Sequence, residues 1–109
     1  MQIVIHARGF ALTAGLREHV QRRVHLAFDW ANDHLRKVSV GLSDLNGPRG
    51  GEDKRCRIQV GVAGSADVVI EDTEADLYVA IDRAADRAGR TLLRRIDRQR
   101  AHRRDCLTS

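Results

Sequence analysis

The sequence predicts an α+β fold: a two-layer β-α-β-β-β-α sandwich with a four-stranded mixed sheet and two helices on one face. Three observations carry this. Four short stretches alternate apolar and polar residues at the two-residue period of a half-buried strand. Two longer stretches repeat apolar residues at helical spacing, one of them between the first and second strands. In a chain of 109 residues, near the usual size of one domain, each of these elements has one apolar side to bury, and stacking helices on a sheet buries them all.

The first strand is expected at Gln2–Arg8, with Ile3, Ile5 and Ala7 on one face and His6 and Arg8 on the other. Gly9 ends it, and Thr13 is positioned to cap a helix over about 14–31, whose stripe is Leu16, Val20, Val24, Ala27 and Phe28. Lys37–Ser43 is the second strand, with Val38, Val40 and Leu42 facing inward. A helix between two strands favours a right-handed parallel crossover. The turn-rich run Asn46–Asp53 is expected to be a hairpin loop, leading to a third strand at Lys54–Val62 that turns Cys56, Ile58, Val60 and Val62 inward. A short fourth strand is expected near Asp67–Glu71. Thr73 and Asp76 resemble a capping box that opens a helix running to about Arg103. The domain core spans about 2–96, followed by a basic helical tail over about 97–109.

Composition narrows function. No apolar run approaches the ~20 residues of a membrane-spanning helix, the N-terminus lacks a signal-peptide pattern, and two cysteines make no disulfide framework. A cytoplasmic setting is therefore expected. Only 4% of residues are aromatic, so the core must be aliphatic, and a small aliphatic core leaves little room for a substrate pocket. The glycine-rich run Gly47–Gly51 lacks the Gly-Lys-Ser/Thr ending and the following helix of a phosphate loop. The five histidines do not share zinc-ligand spacing with a cysteine. Trp30 is expected to cap the core, and Cys56 to be buried and inert. No cofactor, metal site or catalytic set is expected.

Charge is distributed unevenly. The net formal charge is +4, yet residues 75–104 hold nine arginines against Asp76, Asp82, Asp86 and Asp97. At 100° per residue from Leu77, the apolar residues Ile81, Ala84, Ala85, Ala88, Leu92 and Ile96 fall within an arc of about 120°. Arg83, Arg87, Arg90, Arg94 and Arg98 cluster between about 220° and 300°, while Asp82, Asp86 and Asp97 lie between about 140° and 200°. A helix needing only solubility would mix these signs in i, i+4 pairs. Guanidinium groups repeating every 5–6 Å or so along one edge instead match the spacing of phosphates on a nucleic-acid strand, and their planar forks suit phosphate oxygens. Arg98–Arg104 is expected to overhang the body as a basic helix end.

The stretch Ala75-Asp76-Leu77-Tyr78-Val79-Ala80-Ile81-Asp82, opening a long basic helix, resembles the ribosome hibernation promoting factor family, which includes the ribosome-associated inhibitors. Met1-Gln2-Ile3 and Leu12-Thr13-x-x-Leu16-Arg17-x-x-Val20 agree with the family's start, and the resemblance runs from about residue 2 to 98. It implies the β-α-β-β-β-α fold and a non-enzymatic protein that binds the small ribosomal subunit and its rRNA at the decoding region. It implies silencing and protection of idle ribosomes under stress or in stationary phase, with some members promoting ribosome dimers. Contacts to the rRNA backbone map onto Arg83, Arg87, Arg90, Arg94 and Arg98, and secondarily onto Arg22, Arg23 and Lys54. The long Asn46–Asp53 loop departs from the family pattern, and a single domain is expected, without the second domain of the family's long forms. Two alternatives use the same residues differently: a double-stranded-RNA-binding module with a basic helix end, and a small dimeric regulatory protein joined through the polar sheet face.

Overall fold

Strand register explains why one side of the sheet is dry. In the computed structural model, which describes residues 1–44 and 53–108 and their side chains as far as Ala101, β1 (Gln2–Arg8) pairs parallel with β2 (Leu35–Asp44). β2 pairs antiparallel with β3 (Lys54–Val62), and β3 antiparallel with β4 (Val68–Glu74), giving the order β1-β2-β3-β4. Ile3, Val38, Val60 and Val68 fall in one row across the four strands, and Ile5, Val40, Ile58 and Ile70 in the next. Period-2 alternation turns all of them to the same side, where α1 (Ala14–Phe28) and α2 (Leu77–Thr108) cover them. The result is the α+β two-layer sandwich with a mixed sheet expected from the sequence.

The core is aliphatic except for Phe28 and Cys56, and among the described residues it includes no polar or charged side chain. From α1 it takes Leu16, Val20, Val24 and Phe28; from α2, Ala80, Ile81, Ala84, Ala85, Ala88, Leu92 and Ile96. The alanines allow α2 to approach the sheet closely, and Gly89 faces α1, where an added Cβ would make an ordinary contact at 3.6 Å with the Ala27 Cβ. Positive φ is required at two turns: Gly9 (φ 90°) ends β1, and Gly64 (φ 73°) forms the tip between β3 and β4.

Local chemistry sets the helix ends. Thr13 caps α1 as expected, its Oγ1 accepting from the Leu16 N–H at 3.1 Å. α1 gives way after Phe28, earlier than the expected residue 31, to a 3-10 helix over Asp29–His34. Asp29, Asn32 and Asp33 favour caps and turns over helix interiors, and Trp30 Nε1 donates to the Ala27 carbonyl at 2.6 Å, occupying an acceptor in the final turn. At α2, Asp76 alone is the cap: its Oδ1 accepts from the Tyr78 N–H at 2.8 Å. Thr73 sits in β4 opposite Arg55, so the expected capping box does not form. The Asn46–Asp53 loop lies outside the described residues apart from Asp53.

Candidate nucleic-acid interface

α2 has 32 residues, a rise of about 48 Å, against strands of 7 to 10 residues. It lies across the sheet with one flank against α1 and the other along β4, the edge strand. The two flanks carry opposite charge for different reasons.

The acidic flank is used inside the molecule. Asp82 Oδ1 meets His19 Nε2 at 2.7 Å and Arg23 Nε at 3.1 Å, and Asp86 Oδ1 accepts from Arg23 Nη2 at 2.9 Å. Asp82 and Asp86 therefore face His19 and Arg23 of α1, which explains their separation from the arginines of α2. Tyr78 packs edge-on against His19 with ring centroids 4.9 Å apart. The motif that carried the family resemblance is thus largely a docking device: Asp76 caps, Ala80 and Ile81 enter the core, and Tyr78 and Asp82 hold α1.

The basic flank follows the open edge of β4. Arg83 Nε lies 3.3 Å from Glu74 Oε1, and Arg87 Nη1 donates to the Glu71 carbonyl at 3.0 Å. Arg87, Arg90 and Arg94 then surround a shallow depression of about 320 Å³ floored by Ile70 and Thr91. Arg90, Arg94 and Arg98 are exposed and have no anionic partner among the described residues. Four of the five stripe arginines thus line one edge beside β4, and Arg98 continues it toward the helix end.

The secondary candidates are placed elsewhere. Arg22 is exposed on α1 and paired with Glu18 one turn away at 3.0 Å. Arg23, by its contacts with Asp82 and Asp86, is a strut between the helices. Lys54 bridges Asp44 at 2.8 Å and Asp53 at 3.5 Å at the start of β3, and its hydrogen bond to Asp44 raises its pKa above the ordinary lysine value.

Sequence reasoning missed Arg95 and Gln99. Arg95 Nη1 donates to Ser65 Oγ at 3.1 Å and to the Ala66 carbonyl at 2.6 Å, and Gln99 Nε2 reaches the Gly64 carbonyl at 3.4 Å. They tie α2 to the β3–β4 turn, so the helix leaves the body about one turn later than strand length suggests. The signal was Arg95 falling in the apolar arc, where a long side chain bends toward a polar turn. Trp30 does not cap the core; Phe28 fills that place, and Trp30 is half exposed beside Ala27 and Leu93 in a small apolar groove. Cys56 is buried, and burial, aided by Asp72, pushes its thiol pKa up to about 12. Among the described residues no three His, Cys, Asp or Glu side chains gather as a metal site, and no helix is long and apolar enough to cross a membrane.

Fold and site define the class: a small two-layer α+β domain with one cationic edge on its long C-terminal helix. The model of the family described as sigma 54 modulation protein / S30EA ribosomal protein matches residues 3–100, and the chain belongs to this family. The ribosome hibernation promoting factor resemblance seen in the sequence is to these same proteins. Among solved structures, the N-terminal domain of protein Y from Thermus thermophilus is 31% identical, with a TM-score of 0.71 over 86% of this chain and 98% of that one. A ribosomal subunit interface protein from Coxiella burnetii, 16% identical, has the same fold, with a TM-score of 0.75 over 89% of this chain and 99% of that one. No curated protein sequence matches the chain.

Proposed function

We propose that this protein is a non-enzymatic rRNA-binding factor that docks on the small ribosomal subunit near the decoding region and silences and protects idle ribosomes in the cytoplasm. The observation that carries the reading is the β4-side edge of α2, where Arg87, Arg90 and Arg94 converge and the last two have no carboxylate partner among the described residues. Side chains held by a rigid helix present their charges at fixed intervals, and phosphate contacts of this kind position a protein without reading base sequence. Membership of a family described as ribosomal supports a ribosomal partner.

The test is co-sedimentation through sucrose gradients. The wild type is expected with small subunits, and the variant with Arg83, Arg87, Arg90 and Arg94 all changed to Ala is expected at the top of the gradient in moderate salt. A quadruple variant that still travels with small subunits at wild-type levels removes the α2 edge as the contact surface. Preferential binding to a plain RNA duplex over ribosomes would favour the double-stranded-RNA module instead.

A further inference from the structure

The sheet face opposite the helices has a glycine at its centre whose presence the backbone does not explain. Gly41 stands in the middle of β2, between His6 of β1 and Arg57 of β3. Glycine weakens a strand interior and is placed there for a bulge, an unusual φ, a close backbone approach or a ligand. The irregularity of β2 lies at Leu35/Lys37, and the positive-φ glycines are Gly9 and Gly64. A Cβ on Gly41 would come no closer than 4.0 Å to the Arg57 carbonyl. Gly61 differs, because its Cβ would be in van der Waals contact with the Arg36–Lys37 segment at that irregularity.

Above Gly41, where no side chain rises from the floor, lies a trough of about 560 Å³, walled by His6, Arg8, Arg55, Arg57 and Glu71. Register sets the walls: Arg8, Ser43 and Arg55 form one row, and His6, Gly41, Arg57 and Glu71 the next. Two residues along a strand span about 6.7 Å and two strand spacings about 9.5 Å, so the backbone positions of His6, Arg8, Arg55 and Arg57 stand at the corners of a rectangle near 7 by 10 Å. Three guanidinium groups face one carboxylate, and Glu71 is 3.5 Å from Arg57. Arg8 and Arg55 have no ion partner among the described residues, and Arg55 Nε is shielded from solvent without a hydrogen-bond partner.

We propose that this trough is a second RNA contact, which takes the sugar–phosphate backbone of a single strand. Its cationic walls complement phosphate, and its width of two strand spacings admits one backbone and not a duplex. The trough walls are three arginines and His6, with no Phe, Tyr or Trp among them, and arginine contacts to phosphate hold a chain without reading its sequence. It is continuous with the α2 edge: Glu71 pairs with Arg57 inside the trough, while its own carbonyl receives Arg87 from α2. The inference shares with the proposed function the premise that RNA is the partner, but it rests on different residues.

The test uses the full chain and a twelve-residue oligouridylate, followed by amide NMR shifts and by binding titrations at several salt concentrations. Oligouridylate is expected to shift His6, Gly41 and Arg57, and to go on doing so when Arg87, Arg90 and Arg94 are all changed to Gln. Gly41→Val raises a branched side chain from the trough floor while keeping every arginine, and suits a strand better than glycine. It is expected to stay folded, to lose those shifts and to bind about tenfold more weakly, the loss of one charge-assisted contact. Arg8→Gln with Arg55→Gln is expected to flatten the salt dependence by about 0.7 for each phosphate released. Wild-type affinity and slope in Gly41→Val overturn the proposal, as do shifts confined to α2. Loss of the trough shifts in the α2 variant overturns it too, and leaves the α2 edge standing. Trough shifts that persist while the α2 variant binds as tightly as the wild type remove the α2 edge and leave the trough. UTP competing as well as the oligonucleotide would make the trough a nucleotide site and end the proposal of a strand.

Discussion

His19 and Asp82, 63 residues apart, meet at 2.7 Å between the two helices, Nε2 to Oδ1. Arg23 reaches the same carboxylate oxygen from one turn further along α1. One aspartate of the α2 motif therefore ties both helices to each other, and this contact fixes how the arginine edge is rotated. With its acidic side turned to α1, α2 must present the opposite side along β4.

Removing Asp82 tests the tie. Asp82→Ala would leave the Arg23 Nε, already shielded from solvent, without its nearest charge, and His19 without its partner. The site is partly exposed, so screening reduces the effect, and the expected loss is about 1 kcal/mol. Glu18→Ala, which breaks only the exposed pair with Arg22, is expected to cost under about 0.5 kcal/mol. Urea denaturation of both variants checks the order, and equal losses would mean that Asp82 is no strut.

Cys56 gives the fold an alkaline weakness. Its thiol, ordinarily near 9.0, is pushed up to about 12 by burial and by the neighbouring Asp72. A group whose folded pKa is raised holds its proton more tightly when folded, so its contribution is complete below pH 9 and is lost as pH rises from 9 toward 12. Within that window the loss approaches ~1.4 kcal/mol per pH unit. Cys56→Ala is expected to be less stable than the wild type at neutral pH, because it leaves a small cavity, and to lose less stability between pH 9 and 11. Parallel stability–pH curves for the two proteins would show that the thiol does not titrate with unfolding.

The sequence expressed most clearly whatever depends on period alone. β1 and β3 have the expected bounds because their alternation is unbroken, and the arginine edge of α2 follows from 100° per residue. β4 runs three residues further than expected because Asp72, Thr73 and Glu74 are polar, and only their pairing with Cys56, Arg55 and Lys54 makes them strand. Thr73 and Asp76 have cap-like spacing, but the ladder claimed Thr73 first. Arg23 and Lys54 look like free cations in sequence; their carboxylates arrive from other elements. Gly41 is the same case, since a strand glycine becomes a trough only when Arg8, Arg55 and Arg57 stand around it.

Arg95 is expected to matter for local order more than for binding. It donates to both Ser65 and Ala66, and so holds the β3–β4 turn against α2. Arg95→Ala should cost about 1 kcal/mol and speed amide exchange over residues 63–67, with unchanged co-sedimentation. A defect in ribosome association equal to that of Arg94→Ala would place Arg95 on the contact surface instead.

Arginines of the α2 edge are not expected to contribute equally, because some already have partners. Log affinity falls linearly with log salt, with a slope set by the phosphates neutralised. Removing one true phosphate contact should flatten that slope by about 0.7 for a single-stranded site or 0.9 for a duplex-like one. Arg90 and Arg94 have no competing carboxylate among the described residues, so Arg90→Ala and Arg94→Ala should each show the full change. Arg83 must first leave Glu74, which lies 3.3 Å away and is itself largely buried, so Arg83→Ala should flatten the slope by less. Arg87 spends one Nη on the Glu71 carbonyl but keeps its charge and its second Nη, and should rank between them. Salt titrations of the four single variants against purified small subunits give the order directly. Weakened binding at constant slope in all four would mean that these side chains orient the helix through uncharged contacts, and the phosphate-docking account of α2 would be wrong.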